Sequence, residues 1–251
     1  MDPENDVYLH SFSSGSKYLE HANTTIKWID VDNPMTFEGN EDFRKKHNLN
    51  WTEDSITYKF NKFGFRSDEF DTSKDGALFI GCSHTMGVGS IWEETWPYML
   101  SKKLNLLCWN LGQGGASSDS AYRLSHYWIN VLKPKIIFFL VPYECRREIF
   151  RFENLDLREA EIAPHTEGLH KELKKIILSD FDNYLNRQKN IEAILYKAQQ
   201  NNTRVLILPA EIIDEVFNDE LMSKRTARDG VHFGKEVHQW LANTFIKEGN
   251  L

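Results

Sequence analysis

From Ala77 onward the chain repeats one pattern: a short apolar run, a loop of small and polar residues, then apolar positions at helical spacing. The apolar runs fall at 77–80, 104–109, 135–141 and 203–208. Each is short and nearly uninterrupted, as in strands covered on both faces, so the pattern predicts a parallel sheet with crossover helices. Ala121, Leu124, Trp128 and Leu132 form one helical stripe, and Val237, Trp240, Leu241, Thr244 and Phe245 form another. Leu173, Ile177, Phe181, Tyr184, Leu185, Ile191, Ile194 and Ala198 predict one long helix before the last strand. Residues 1–55 are polar and aromatic without a sustained period. They read as a loosely structured N-terminal extension lying on a domain that spans 56–251.

Composition narrows the class. A chain of 251 residues with 41% hydrophobic and 27% charged side chains is ordinary for one globular domain. The formal charge of −7 gives no general attraction to phosphate backbones or anionic lipid, so neither nucleic acid nor membrane is the expected partner. The opening MDPENDVYLH lacks the basic and apolar parts of a signal peptide, and no run is long enough to span a bilayer, so a cytoplasmic protein is expected. Cys82, Cys108 and Cys145 are odd in number and have no CxxC spacing, which argues against a disulfide framework and a zinc site. The glycine-bearing loop at 110–118 lacks the Lys-Ser/Thr ending of a phosphate-binding loop. No metal and no cofactor are expected.

In an open parallel sheet, ligands bind beyond the C-terminal ends of the strands. The polar loops there are Gly81-Cys82-Ser83-His84-Thr85, the 110–118 loop, the segment from Pro142 to Arg147, and Arg228-Asp229-Gly230-Val231-His232. Ser83 follows the first strand at the expected start of a helical turn, a position that suits a nucleophile. A hydroxyl near neutral pH needs a base, and two histidines have an acid three residues upstream: His232 with Asp229, and His170 with Glu167. Spacing alone leaves both open. Position favours His232, because Asp229-Gly230-Val231-His232 opens the last amphipathic helix, whereas the Glu167 pair lies inside a connection. The structural alternative is that Ser and Gly after a strand serve only the turn.

These segments resemble the SGNH (GDSL-like) hydrolases. Gly81 to Thr85 is similar to the first sequence block of that family, Asn110 to Ser117 to the glycine-bearing second, and Asp229-Gly230-Val231-His232 to the last. The stretches 61–70 and 87–97 are similar to a branch found in bacteria and phages. The resemblance runs from about Ile56 to the C-terminus. It implies a three-layer α/β/α sandwich with a mainly parallel sheet of about five strands, the flavodoxin-like SGNH hydrolase fold. It also implies ester or amide hydrolysis through an acyl-enzyme, with a small-molecule or glycan ester as substrate, an acetyl ester of a carbohydrate among them. By the resemblance Ser83 attacks, His232 carries the proton and Asp229 orients His232. The N–H groups of Ser83 and Gly115 would hold the oxyanion, with Gly114 as the near alternative.

Two departures stand out. Cys82 replaces the usual Asp before the serine, and the third block reads Val141-Pro142-Tyr143-Glu144, with no Asn to complete the oxyanion hole. Tyr143 through its hydroxyl, or Arg146 or Arg147 through charge, are the candidate substitutes. The alternatives are a catalytically weak glycan-binding or structural module, and an acyltransferase.

Overall fold

The computed structural model describes residues 15–153, 156–162 and 179–251. The central sheet is formed by β3 (Gly76–Ile80), β4 (Leu107–Asn110), β5 (Ile136–Val141) and β8 (Arg204–Pro209). Its order is β4-β3-β5-β8 and every pairing is parallel, with Ala77 opposite both Cys108 and Ile136, and Ile136 opposite Arg204. Four strands make this sheet among the described residues, against about five expected. Residues 104–106, expected as strand, instead end a helix and turn through Asn105 at φ 55°. Asn tolerates the left-handed region better than most residues, so the strand starts only at Leu107.

Successive strand residues point to opposite faces, which gives the fold its two cores. Leu78, Ile80, Ile137, Phe139 and Val141 face α5 (Ser118–Leu132) and α6 (Asp180–Gln200). Ala77, Phe79, Phe138 and Leu140 face α4 (Trp96–Lys103), α7 (Glu211–Phe217) and α8 (Lys235–Gly249). The result is a three-layer α/β/α sandwich. The stripe Ala121, Leu124, Trp128 and Leu132 is buried, as are Val237, Leu241 and Phe245. On α6 the expected apolar face holds only in its C-terminal half. Ile194 and Ala198 are buried, whereas Phe181, Tyr184 and Leu185 are exposed and Arg187 is buried instead. Arg187 donates to both carboxylate oxygens of Glu211, at 3.0 and 2.8 Å, which compensates its burial. Leu173 and Ile177 lie outside the described residues, as does the pair Glu167 and His170.

From β3 the chain moves outward to β4 and then back across to β5 on the other side. The connections that diverge here run over opposite faces of the sheet, so a crevice opens between the C-terminal ends of β3 and β5. Ser83 follows β3 and Tyr143 follows β5. A hairpin absent from the sequence reading, β6 (Arg147–Glu153) with β7 (Asp156–Ile162), rises directly after β5. Its base is tied to α5, where Arg123 grips the Glu148 carboxylate through Nε at 3.0 Å and Nη2 at 2.7 Å.

The segment before β3 is more ordered than expected of a loose extension. It carries β1 (Thr25–Ile26) paired antiparallel with β2 (Tyr58–Lys59), and two short helices, α1 (Pro34–Gly39) and α2 (Glu41–Lys46). Tyr18, Ile29, Ile56, Tyr58 and Phe60 pack with Met86 and Val88 in a third small core. This cluster sits directly behind the Ser83 turn. Lack of periodicity hid it, because its apolar residues are spread over loops rather than along one helix or strand.

Candidate functional site

Ser83 begins α3 (Ser83–Met86), a single turn closed by Gly87 at φ 78°. The N–H groups of Thr85 and Met86 both donate to the Cys82 carbonyl at 2.9 Å, while the Ser83 N–H has no partner among the described residues. The Ser83 hydroxyl likewise makes no hydrogen bond among those residues, and the residue is 5% exposed at the crevice. Cys82 is fully buried, consistent with a packing role.

The turn is braced from two sides. Asn110, at the end of β4, donates from Nδ2 to the Thr85 carbonyl at 2.8 Å and accepts from the Gly112 N–H at 2.8 Å, locking the Ser83 turn to the 110–118 loop. A side chain at Gly112 would place Cβ 2.5 Å from the Met86 nitrogen, so only glycine permits this approach. The loop then feeds α5 through a capping box. Ser120 N–H donates to Ser117 Oγ, and Ser117 N–H donates to Ser120 Oγ.

On the other side, Arg228 N–H donates to the Gly89 carbonyl at 2.8 Å. Gly89 has φ 71°, and a Cβ there would lie 3.1 Å from the Asp229 carboxylate. Asp229 and His232 therefore arrive beside the Ser83 turn by way of a glycine. Asp229 is fully buried and uses both oxygens. Oδ2 lies 2.6 Å from His232 Nδ1, and Oδ1 accepts the N–H groups of Val231 at 2.8 Å and His232 at 2.9 Å. Burial alone would raise the Asp229 pKa, but the hydrogen bond and electrostatic interaction with His232 and the two amides together hold it below the usual carboxylate value. Asp229 is an anion whose position fixes the proton of His232 on Nδ1, leaving Nε2 as the free acceptor.

His84 links this pair to Ser83. Its ring stacks on Phe233 at 4.9 Å and meets His232 edge-on at 5.4 Å and Tyr143 at 6.3 Å. Burial, then the nearby His232 and Arg146 charges, push its pKa well below the ordinary imidazole value. No hydrogen bond joins Ser83 to His232 among the described residues, and the edge-on contact of His84 with His232 is what brings the two turns near one another.

The sequence candidates for the oxyanion hole separate here. The Gly114 N–H, the near alternative, donates to the Tyr18 hydroxyl at 2.9 Å, and Lys17 Nζ donates to the Gly114 carbonyl at 2.6 Å. That amide is occupied by the N-terminal segment. Gly115, at φ 73° and exposed, keeps an N–H with no partner among the described residues. Tyr143 sits half-buried with its hydroxyl toward Asp214 Oδ1 at 3.4 Å, and burial followed by the Asp214 charge pushes its pKa up. Arg146 lies over the Tyr143 ring at 5.3 Å, and its buried Nη1 has no hydrogen-bond partner among the described residues. Arg147 pairs with Asp119 at 3.4 Å, and Glu144 is offset by Arg187 at 3.4 Å.

The sequence reading missed the residues that hold Asp229 in place. Arg228, immediately before it, is fully buried and pairs with fully buried Asp32 through Nε at 3.0 Å and Nη2 at 2.6 Å. Tyr58 donates its hydroxyl to the same carboxylate. The remaining Arg228 donors reach the carbonyls of Lys27, Glu53 and Ile56, and its guanidinium lies 3.9 Å over the Trp28 ring. Asn40 donates to the Asp229 carbonyl, and Trp51 Nε1 donates to the Thr226 carbonyl at 2.8 Å. A run of aromatic and acidic residues without periodicity was the available signal, but it names no partner.

His238, on α8, is buried behind the site with Ser90 Oγ 3.3 Å from Nε2 and the Trp96 N–H donating to Nδ1 at 3.3 Å. Burial first, then the Arg66 and His232 charges, hold its pKa down to about 3. An unfolded histidine titrates near ~6.5, so the unfolded chain takes up this proton first. The contribution to stability is complete above about pH 6.5 and is lost as the pH falls toward 3. The urea midpoint is expected to fall across that window and to fall less steeply in His238→Gln. An unchanged slope in the variant would remove His238 as its source.

No protein-family model matches the sequence, and no curated protein matches it. Among solved structures the chain is similar to one described as a lipolytic protein of the G-D-S-L family from Desulfitobacterium hafniense DCB-2. The identity is 18%, over 70% of this chain and 74% of that one, with a TM-score of 0.35. It is also similar to the psychrotrophic esterase EstA from Pseudoalteromonas sp., at 12% identity over 69% of this chain and 97% of that one, with a TM-score of 0.34.

Proposed function

We propose that the protein is a serine esterase of the SGNH type. The observation that carries this is the buried Asp229 carboxylate, 2.6 Å from His232 Nδ1 and fixed by two amides, set beside a serine turn whose N–H has no partner among the described residues. In this reading Ser83 Oγ attacks the ester carbonyl while His232 Nε2 takes the hydroxyl proton. The carbonyl oxygen becomes an oxyanion facing the N–H groups of Ser83 and Gly115. Collapse of the tetrahedral adduct breaks the bond to the alcohol oxygen, which leaves with the proton from His232. Water then gives its proton to His232 and attacks the acyl-serine, releasing the acid and restoring the Ser83 hydroxyl. The finer reading of the substrate is an acetyl ester of a carbohydrate.

Ser83→Ala is expected to abolish hydrolysis of short-chain aryl esters and acetylated glycans above background, with the fold intact. Equal rates in Ser83→Ala and the parent would contradict the reading. One observation favours a second reading, a glycan-binding module with little turnover: the third block carries no Asn, and the Tyr143 hydroxyl is engaged with Asp214 Oδ1 at 3.4 Å. Removing one such donor typically costs about 10²–10³ in rate.

A further inference from the structure

A cavity of about 680 Å³ lies away from the Ser83 crevice, between the β2 region and α4. Its size falls in the range of small-molecule sites, and its wall combines aromatic rings with charged groups. Trp92 and Tyr98, both half-buried, line it and meet edge-on at 5.8 Å, with the Arg66 guanidinium 5.6 Å over the Trp92 ring and Lys102 Nζ 5.0 Å over the Tyr98 ring. Arg66 lies in its wall, 2% exposed; among the described residues no carboxylate is in ion-pair contact with it and its buried Nε has no hydrogen-bond partner. The other Arg66 donors go to backbone carbonyls, at 3.3 Å to Thr57 and 2.8 Å to Ser90, with a further bond to Gly87. Burial lowers the Arg66 pKa to about 10, which leaves it charged at neutral pH.

We propose that this cavity binds a neutral saccharide, with sugar rings stacked on Trp92 and Tyr98. Aromatic faces suit the apolar faces of pyranose rings, and the surrounding polar groups suit hydroxyls, which both donate and accept. The charge balance selects against an ionic ligand. Arg66, Lys59 and Lys102 are matched by Asp68, Glu69 and Glu93, so a ligand of either sign meets like charge. The site is coupled to the nucleophile turn, because Arg66 holds the carbonyls of Gly87 and Ser90 while the Gly87 N–H donates to the Ser83 carbonyl at 2.8 Å. The assignment deepens the esterase reading by placing a glycan anchor next to it, but saccharide binding itself does not require Ser83.

The test is titration of the full chain with neutral hexasaccharides of β-1,4-linked glucose, xylose, mannose and N-acetylglucosamine, and with a hexauronate, read by calorimetry and tryptophan fluorescence. At least one neutral hexamer is expected to bind the parent and Ser83→Ala equally. Trp92→Ala and Tyr98→Ala should each weaken it about tenfold or more, since one aromatic anchor often supplies that much affinity. The conservative Tyr98→Phe retains the ring and should bind within about twofold of the parent, which separates loss of the stacking surface from loss of the fold. Absence of binding by every hexamer, tighter binding of the hexauronate, or equal affinity in Trp92→Ala and the parent would overturn the assignment. If Ser83→Ala binds like the parent and also hydrolyses like it, the saccharide site stands and the esterase reading falls.

Discussion

Asp229→Asn is expected to lower kcat for ester hydrolysis by about 10⁴-fold while leaving the backbone in place, the scale of the same change in serine triads. Asn keeps a carbonyl oxygen that can still accept the amides of Val231 and His232, so the turn survives. Its NH₂ then faces His232 Nδ1, where Asp229 Oδ2 now lies at 2.6 Å. An NH₂ can only donate to that nitrogen, which forces the imidazole proton to Nε2 and removes the base from the side that Ser83 uses in the proposed mechanism. His232→Ala should lose at least as much. A kcat within tenfold of the parent in Asp229→Asn would mean that this pair does not drive the chemistry.

The second large effect is on stability. Asp32 and Arg228 are both fully buried, and removing one partner strands the other in a medium that solvates it poorly. Asp32→Ala is expected to cost about 3–5 kcal/mol in unfolding free energy, which for a chain of this size corresponds to a fall in Tm of about 10 °C. Because Arg228 also donates from its backbone to Gly89 and adjoins Asp229, the loss should extend to activity even below the melting transition. The double variant Asp32→Leu with Arg228→Met replaces the pair by apolar side chains and should recover much of the stability. It should not recover the full rate, since the carbonyls of Lys27, Glu53 and Ile56 would lose their donor and the loop its anchor. A loss below 1 kcal/mol in Asp32→Ala, read from urea unfolding, would show that the pair is not holding the N-terminal segment to the site.

The sheet and its two helical layers were legible because the signal is local. Runs such as Ile136–Val141 are apolar at every position, and the stripe from Ala121 to Leu132 repeats at 3.6 residues. The Asp229 and His232 pair was legible because three residues of spacing bring the two side chains together within one turn. What was not legible depends on distant partners. Arg228 meets Asp32 across 196 positions, and the Tyr18 hydroxyl takes up the Gly114 N–H across 96. Nothing in the local sequence separates Gly114 from Gly115 as donors, because the difference is made by a tyrosine from the N-terminal segment. The first half of α6 misled for a related reason. Phe181, Tyr184 and Leu185 have the right period, but Arg187 takes the buried place by pairing with Glu211 on a different helix.

The N-terminal segment thus acts on both sides of the crevice. Through Tyr18 and Lys17 it fixes Gly114, and through Asp32 and Asn40 it fixes the loop that carries Asp229. Among the described residues, the Gly115 N–H is left without a partner.

The most direct test of the esterase reading is covalent labelling with a fluorophosphonate, followed by peptide mass analysis. The account predicts one phosphonyl adduct on Ser83, absent in Ser83→Ala and strongly slowed in His232→Ala. No adduct on Ser83 in the intact parent protein, or labelling at the same rate in His232→Ala, would contradict it.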